Sequence, residues 1–357
     1  MLESLGHIDD QLHAVAVLLQ DYSRDGAFEL REEIDGSQIR VIIERVKPIP
    51  AAVSRGAADI LNALRNLLEH VVYAEVEHVL GRPLDEAESR ALEMPVTDTS
   101  PNFDKWLNHK WRRDLPLLGS DGVLTQKLRA LQPFEWTGDG TSPLRLLADY
   151  TNATKHRKPA AVAVLVGKVV ADYDISGLSV LSPVGEPAQV GDVIVTAPRS
   201  PRVGVDVWPL IAIRRATADW RVLVPELAHL EQWVREIALP LLLGLTEGQD
   251  LPASTDVLVG NDDMRSAAAS ATDAPAAIRN LQKLTAEGVI LPGFRDVLHR
   301  ACFSDAERSA VDGWLESLDD VDLIRRWERF VAAPSDLGRY SNPAGQLVRI
   351  ASRWALR

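Results

Sequence analysis

From residue 51 to residue 80 the chain carries no proline and a strict helical repeat of apolar side chains. Ile60, Leu64, Leu67, Leu68, Val71 and Val72 fall on one face at spacings of three and four. Gly81 and Pro83 then supply a glycine–proline stop. A long helix with one wide apolar face needs other elements to cover it. The spacing therefore predicts a helix over about 51–80 at the centre of the fold.

The flanking text supplies the covers. Residues 3–22 read as a first helix, with Leu5, Ile8, Leu12, Val15, Leu18 and Leu19 at helical spacing. "AFELREEI" and "QIRVIIERVKPIP" read as two strands joined across Asp35-Gly36. "EMPV" reads as extended, "NFDKWLNHKWRRDL" as helical, and Leu124–Leu131 as a short helix stopped by "QPF". "SPLRLLADYTNATKHR" reads as a helix with Ser142 as N-cap and Pro143 at its first position. After Pro159 the text turns β-branched, cut by Gly, Pro and Asp, which predicts three to five antiparallel strands. "VPELAHLEQWVREIALPLLLGL" returns to helix. The expected class is α+β, mainly helical with an antiparallel sheet over residues 1–245. A polar linker follows over 246–275, then a C-terminal helical domain over 276–357 with Trp314, Trp327 and Trp354 as core anchors.

Composition narrows the function classes. The net charge of −12 argues against a broad nucleic-acid footprint but leaves room for a local basic patch. Cys302 is the only cysteine, which excludes an intramolecular disulfide and a cysteine-based zinc cluster. No spaced metal-ligand set, no HExxH, no phosphate loop and no GxSxG appears, so neither metal nor cofactor is expected. The acidic, amphipathic N-terminus and the short apolar runs predict a cytoplasmic protein without a membrane span.

The polar residues of the 51–80 helix raise the functional question. Asn62, Arg65, Asn66, Glu69, His70 and Tyr73 recur along it at helical spacing. One reading is a solvated face with an Arg65–Glu69 pair at i,i+4. The other is an active site. Arg65, Asn66 and His70 form an R-N-x3-H pattern that resembles the motif of HEPN-type ribonucleases, an all-helical superfamily. That resemblance implies metal-independent RNA cleavage, with a histidine to take the 2′-hydroxyl proton and an arginine fork for the phosphorane. It also implies a homodimer, RNA as partner, and a defence or toxin role.

Four ordered blocks carry a second resemblance over residues 1–240. "PIPAAVSRGAADILNALRNLLEHVVY", "EMPV", "LQPF" and "PLRLLADYTNATKHR" are similar to an uncharacterised bacterial family with "LRSALDHLVY", "FPI", "IQPF" and "LSNIDKHR". It implies a shared fold. Thr154 stands where that family has aspartate, which puts activity in doubt if the aspartate orients the histidine. Asn152, Lys155, His156 and Arg157 are the candidate phosphate-binding group, or else a cationic helix end set against the dipole.

"NHKWRRD" at 108–114 combines His109, Lys110, Trp111, Arg112 and Arg113, either to grip nucleic acid or as a tryptophan-anchored surface segment. His7 and His13 are expected to face solvent. Two functions stand side by side: a HEPN-like endoribonuclease, and a non-enzymatic α+β sensor or scaffold whose C-terminal helices recruit a protein partner. They differ in one feature. A catalytic Arg65 faces a groove, whereas a structural Arg65 is locked into a carboxylate pair.

Overall fold

The apolar repeat of residues 51–80 folds as one 30-residue helix, α2 (Ala51–Leu80). Gly81 closes it at φ 65°, the left-handed conformation that glycine adopts without strain, and its N–H donates to the Glu77 carbonyl. The computed structural model describes residues 2–113, 115–119, 122–156, 160–171, 176–181, 185–199, 204–245, 286–331, 347–348 and 350–352. The chain is α+β. It divides into two compact units, each made from three stretches. The first comprises Met1–Val15, Pro50–Ala163 and Ile211–Ala277, and the second Ala16–Ile49, Val164–Leu210 and Ile278–Arg357. This division interleaves along the chain, whereas the expected domains were serial. The expected linker at 246–275 lies outside the described residues.

In the first unit α2 is the central element. The front half of α1 (Leu2–Arg24) buries Leu5, Ile8, Leu12 and Val15. Gly56 permits its approach to α2: a Cβ there would stand 2.6 Å from Val15 Cγ2. α3 (Glu86–Ala91), α4 (Ser100–Leu107), α5 (Lys110–Arg113) and α6 (Val123–Ala130) follow as short helices. The expected single helix over "NFDKWLNHKWRRDL" is thus two helices, broken at Asn108-His109. α7 (Pro143–His156) begins at Ser142, whose hydroxyl accepts the Arg145 N–H at 3.2 Å. α7 packs on α2, as do α8 (Leu223–Trp233) and α9 (Leu239–Leu243). Between α8 and α9 lies one π turn, Val234–Ala238.

The expected hairpin forms in the second unit. β1 (Phe28–Asp35) pairs antiparallel with β2 (Gln38–Val46) across a turn with Gly36 at φ 61°. With β5 (Val193–Pro198) and β4 (Ser179–Val180) they make a sheet of order β1-β2-β5-β4. Val41, Ile43, Val166, Ile194, Val195 and Ala197 form its core. A second sheet has the order β3-β6-β7, from β3 (Val162–Ala171), β6 (Val205–Arg214) and β7 (Trp220–Val222). Among the described residues no helix interrupts β3 to β7, as expected for short strands joined by turns.

The C-terminal helices α10 (Leu291–Ala301), α11 (Asp305–Glu316) and α12 (Asp320–Val331) enclose their own apolar cluster. Phe294, Trp314 and Leu298 lie at its centre, and Trp327 meets Phe294 edge-on at 5.4 Å. Ser304 caps α11 by accepting the Glu307 N–H at 3.2 Å. The Glu307 carboxylate reaches past the cap residue to the Phe303 N–H, at 2.7 Å. Trp354 lies outside the described residues.

Candidate functional site

The polar residues of α2 do not act as one face. The guanidinium of Arg65, 12% exposed, pairs with Glu69 one turn on at 2.9 Å and donates to the Met94 carbonyl. The other Glu69 oxygen accepts the Met94 N–H at 2.5 Å. Arginine and glutamate together thus satisfy both backbone groups of one residue in an extended segment, as a neighbouring strand does. Burial pushes the Glu69 carboxyl up, opposed chiefly by the Arg65 charge. One turn further, Tyr73 donates its hydroxyl to the Ser89 carbonyl. Burial, then the charges of Glu69 and Glu93, push that phenol up as well.

The same extended segment is held from its other end by the glutamine of "LQPF". Gln132 is 1% exposed. Its Oε1 accepts the Thr97 N–H at 3.0 Å and the Thr97 hydroxyl at 3.1 Å. Its Nε2 donates to the Pro95 carbonyl at 3.0 Å and the Leu128 carbonyl at 2.9 Å. Arg112, also buried, anchors the start of the segment. It donates to the Ala91 carbonyl at 2.7 Å and the Trp106 carbonyl at 2.8 Å, and lies 4.4 Å over the Trp106 ring. Met94 itself is 1% exposed. Further along, Arg145 of α7 pairs with Asp98 at 3.0 Å. Four separated blocks of sequence therefore meet around residues 91–98: three of them hydrogen-bond backbone groups of Ala91, Met94, Pro95 and Thr97, and Arg145 of the fourth pairs with the Asp98 carboxylate.

Asn66 and His70 are exposed. Five helical steps put His70 about 140° around α2 from Arg65, whose guanidinium is turned to the Met94 carbonyl. Asn152 on α7 is exposed. The side chains of Lys155 and His156, and all of Arg157, lie outside the described residues.

Two buried polar networks escaped the sequence reading. The Tyr150 hydroxyl donates to Glu226 at 2.9 Å, and Arg215 grips the same carboxylate with two bonds of 2.7 Å. Burial, reinforced by the Glu226 charge, holds the Tyr150 phenol far above its usual range. In the π turn Arg235, 2% exposed, pairs with Asp9 at 2.6 Å and with Glu231. A glutamate repeat in "VPELAHLEQWVRE" was the only available signal for either. Among the described residues, no group of three or more His, Cys, Asp or Glu side chains is placed to hold a metal ion. No described helix is long and apolar enough to cross a membrane.

Comparison with protein-family models, with curated proteins and with solved structures finds no match.

Proposed function

We propose that the chain is a non-catalytic α+β scaffold whose C-terminal helices bind a partner protein. The observation that carries this reading is the employment of Arg65. An arginine that stabilises a phosphorane aims its fork at the reacting group. Arg65 instead holds Glu69 and the Met94 carbonyl, with its side chain only 12% exposed. Freeing it for an RNA phosphate would take the cation from the half-buried Glu69 carboxylate and the side-chain donor from the Met94 carbonyl. Partner binding is supported by α10–α12, which have an apolar cluster of their own and present Phe303 at 93% exposure beside the α11 cap. An exposed aromatic is the kind of side chain that anchors interfaces.

The test is incubation of purified protein with mixed RNA in chelator, beside Arg65→Ala and His70→Ala. The expected result is no cleavage by any of the three, a lowered melting temperature for Arg65→Ala, and none of that loss for His70→Ala. Cleavage by the parent that disappears in a fully folded His70→Ala protein would overturn the reading. The HEPN-like endoribonuclease, with Asn66 and His70 at its exposed face, would then replace it.

A further inference from the structure

Among the described residues, the sheet order β1-β2-β5-β4 leaves β1 paired on one side only. An open edge is a template for another strand, and proteins blunt it with shortness, proline, lysine or a bulge. β1 is eight residues long and holds no proline, glycine or lysine. Its ladder shifts register once, where Glu29 faces Arg45 and Leu30 faces Ile43, so the extra residue is Glu44 of β2 and β1 runs unbroken. From Arg31 to Asp35 every side chain is exposed, Ile34 at 59%. Successive side chains alternate between the two faces. Arg31 and Glu33 share one face and pair there at 3.8 Å. Leu30, Glu32 and Ile34 share the other, where Leu30 packs against the cluster around Val41 and Ile43. The acids at the two ends are matched within the hairpin, Glu29 by Arg45 at 3.1 Å and Asp35 by Arg40.

We propose that the β1 edge docks the β1 edge of a second copy of this chain, the two strands running antiparallel about a twofold axis at Glu32. Such an axis, normal to the sheet, keeps each face on its own side and makes the contact self-complementary. Centred on Glu32, Arg31 of each copy faces Glu33 of the other, and Leu30 of each faces Ile34 of the other. The four charges then alternate in sign, and the exposed Ile34 gains an apolar neighbour; both kinds of cross-strand pair are favourable. The neighbouring registers fail on the same residues. Centring on Arg31 sets that arginine against itself and Leu30 against Glu32, and centring on Glu33 sets that glutamate against itself and Ile34 against Glu32. The one mismatch in the proposed register is Glu32 facing its own copy. Glu29 also faces Asp35, but each already carries an arginine of β2. An edge of eight residues makes a small interface, below about 1,200 Å², so the dimer is weak and depends on concentration. It uses neither α2 nor His70, and so stands apart from the dimer that the HEPN resemblance implies.

The experiment is sedimentation velocity of the full chain at rising concentration. The parent is expected to pass from monomer to dimer, and Glu32→Gln, which removes the like charges at the axis, to do so with up to about fivefold higher affinity. Arg31→Glu alone and Glu33→Arg alone, each checked for an unchanged circular dichroism spectrum, are expected to lose about tenfold or more. Mixed in equal amounts, these two variants are expected to form a heterodimer where each by itself is monomeric, because every contact between positions 31 and 33 again joins opposite charges. Three results overturn the proposal: the parent and Glu32→Gln both monomeric at the highest soluble concentration, either single charge reversal dimerising as well as the parent, or a mixture of the two reversals that stays monomeric.

Discussion

Replacing Gln132 by leucine keeps the volume of the side chain and removes all its polar atoms. In the folded protein this deletes four hydrogen bonds, to the Thr97 N–H, the Thr97 hydroxyl, and the Pro95 and Leu128 carbonyls. The Thr97 hydroxyl can rotate to another acceptor. The Thr97 N–H and the Pro95 carbonyl lose the partner that a 1%-exposed side chain supplied. At about 1–3 kcal/mol for each buried group left unpaired, less a small gain in apolar burial, the loss is about 3–4 kcal/mol. For a unit of this size that lowers the melting temperature by about 6–16 °C. Urea titration followed by tryptophan fluorescence measures it directly. A loss below about 1 kcal/mol would refute the account. It would mean that residues 91–98 are held by burial of Met94 and its apolar neighbours, with the Gln132 bonds replaceable by water.

Three further outcomes follow from the geometry. Glu69 has its carboxyl raised by burial, so the folded state binds more protons than the unfolded state just above the ordinary glutamate range. In that window its contribution to stability falls as pH rises; Glu69→Gln should flatten this part of the pH–stability curve, and an unchanged slope in parallel urea titrations would contradict it. Gly56→Ala should destabilise despite alanine's helix preference of about 1 kcal/mol, because its Cβ stands 2.6 Å from the stiff Val15 side chain; a raised melting temperature would show that α1 shifts freely. Ala218 occupies the left-handed region at φ 72° in the β6–β7 turn, so Ala218→Gly should raise stability by about 0.5–1 kcal/mol in the same denaturation assay.

What could be read from the sequence was whatever repeats locally. The apolar repeat of α2, the glycine stop at 81, the Ser142 cap and the Asp35-Gly36 hairpin each need only neighbours within a few residues, and all four formed. The employment of Arg65 could not be read in this way. Its partner Glu69 sits one turn away, and that pair was visible as an i,i+4 spacing. The group that decides its role is the Met94 carbonyl, 29 residues on in an irregular segment. A side chain that satisfies irregular backbone leaves no period and no composition mark. An arginine aimed at a carbonyl is written with the same letter as one aimed at a phosphate. Gln132 was visible only as part of a familiar block, without its task. The π turn at 234–238 adds a residue to a helix whose sequence looks unbroken, so the inward turn of Arg235 had no local sign.

The pair formed by Arg235 and Asp9 also sets a clock. The two residues lie 226 positions apart, within one unit and with both side chains almost wholly buried. On a ribosome adding about 5–20 residues per second, Asp9 is made about 11–45 s before its arginine. Through that interval α1 has no means of burying its carboxylate beside the intended cation, and the acid must stay wet. α1 is therefore made well before the arginine that seats it. A nascent chain arrested before residue 235 should leave α1 open to protease, and one arrested far enough beyond it for Arg235 to clear the exit tunnel should not.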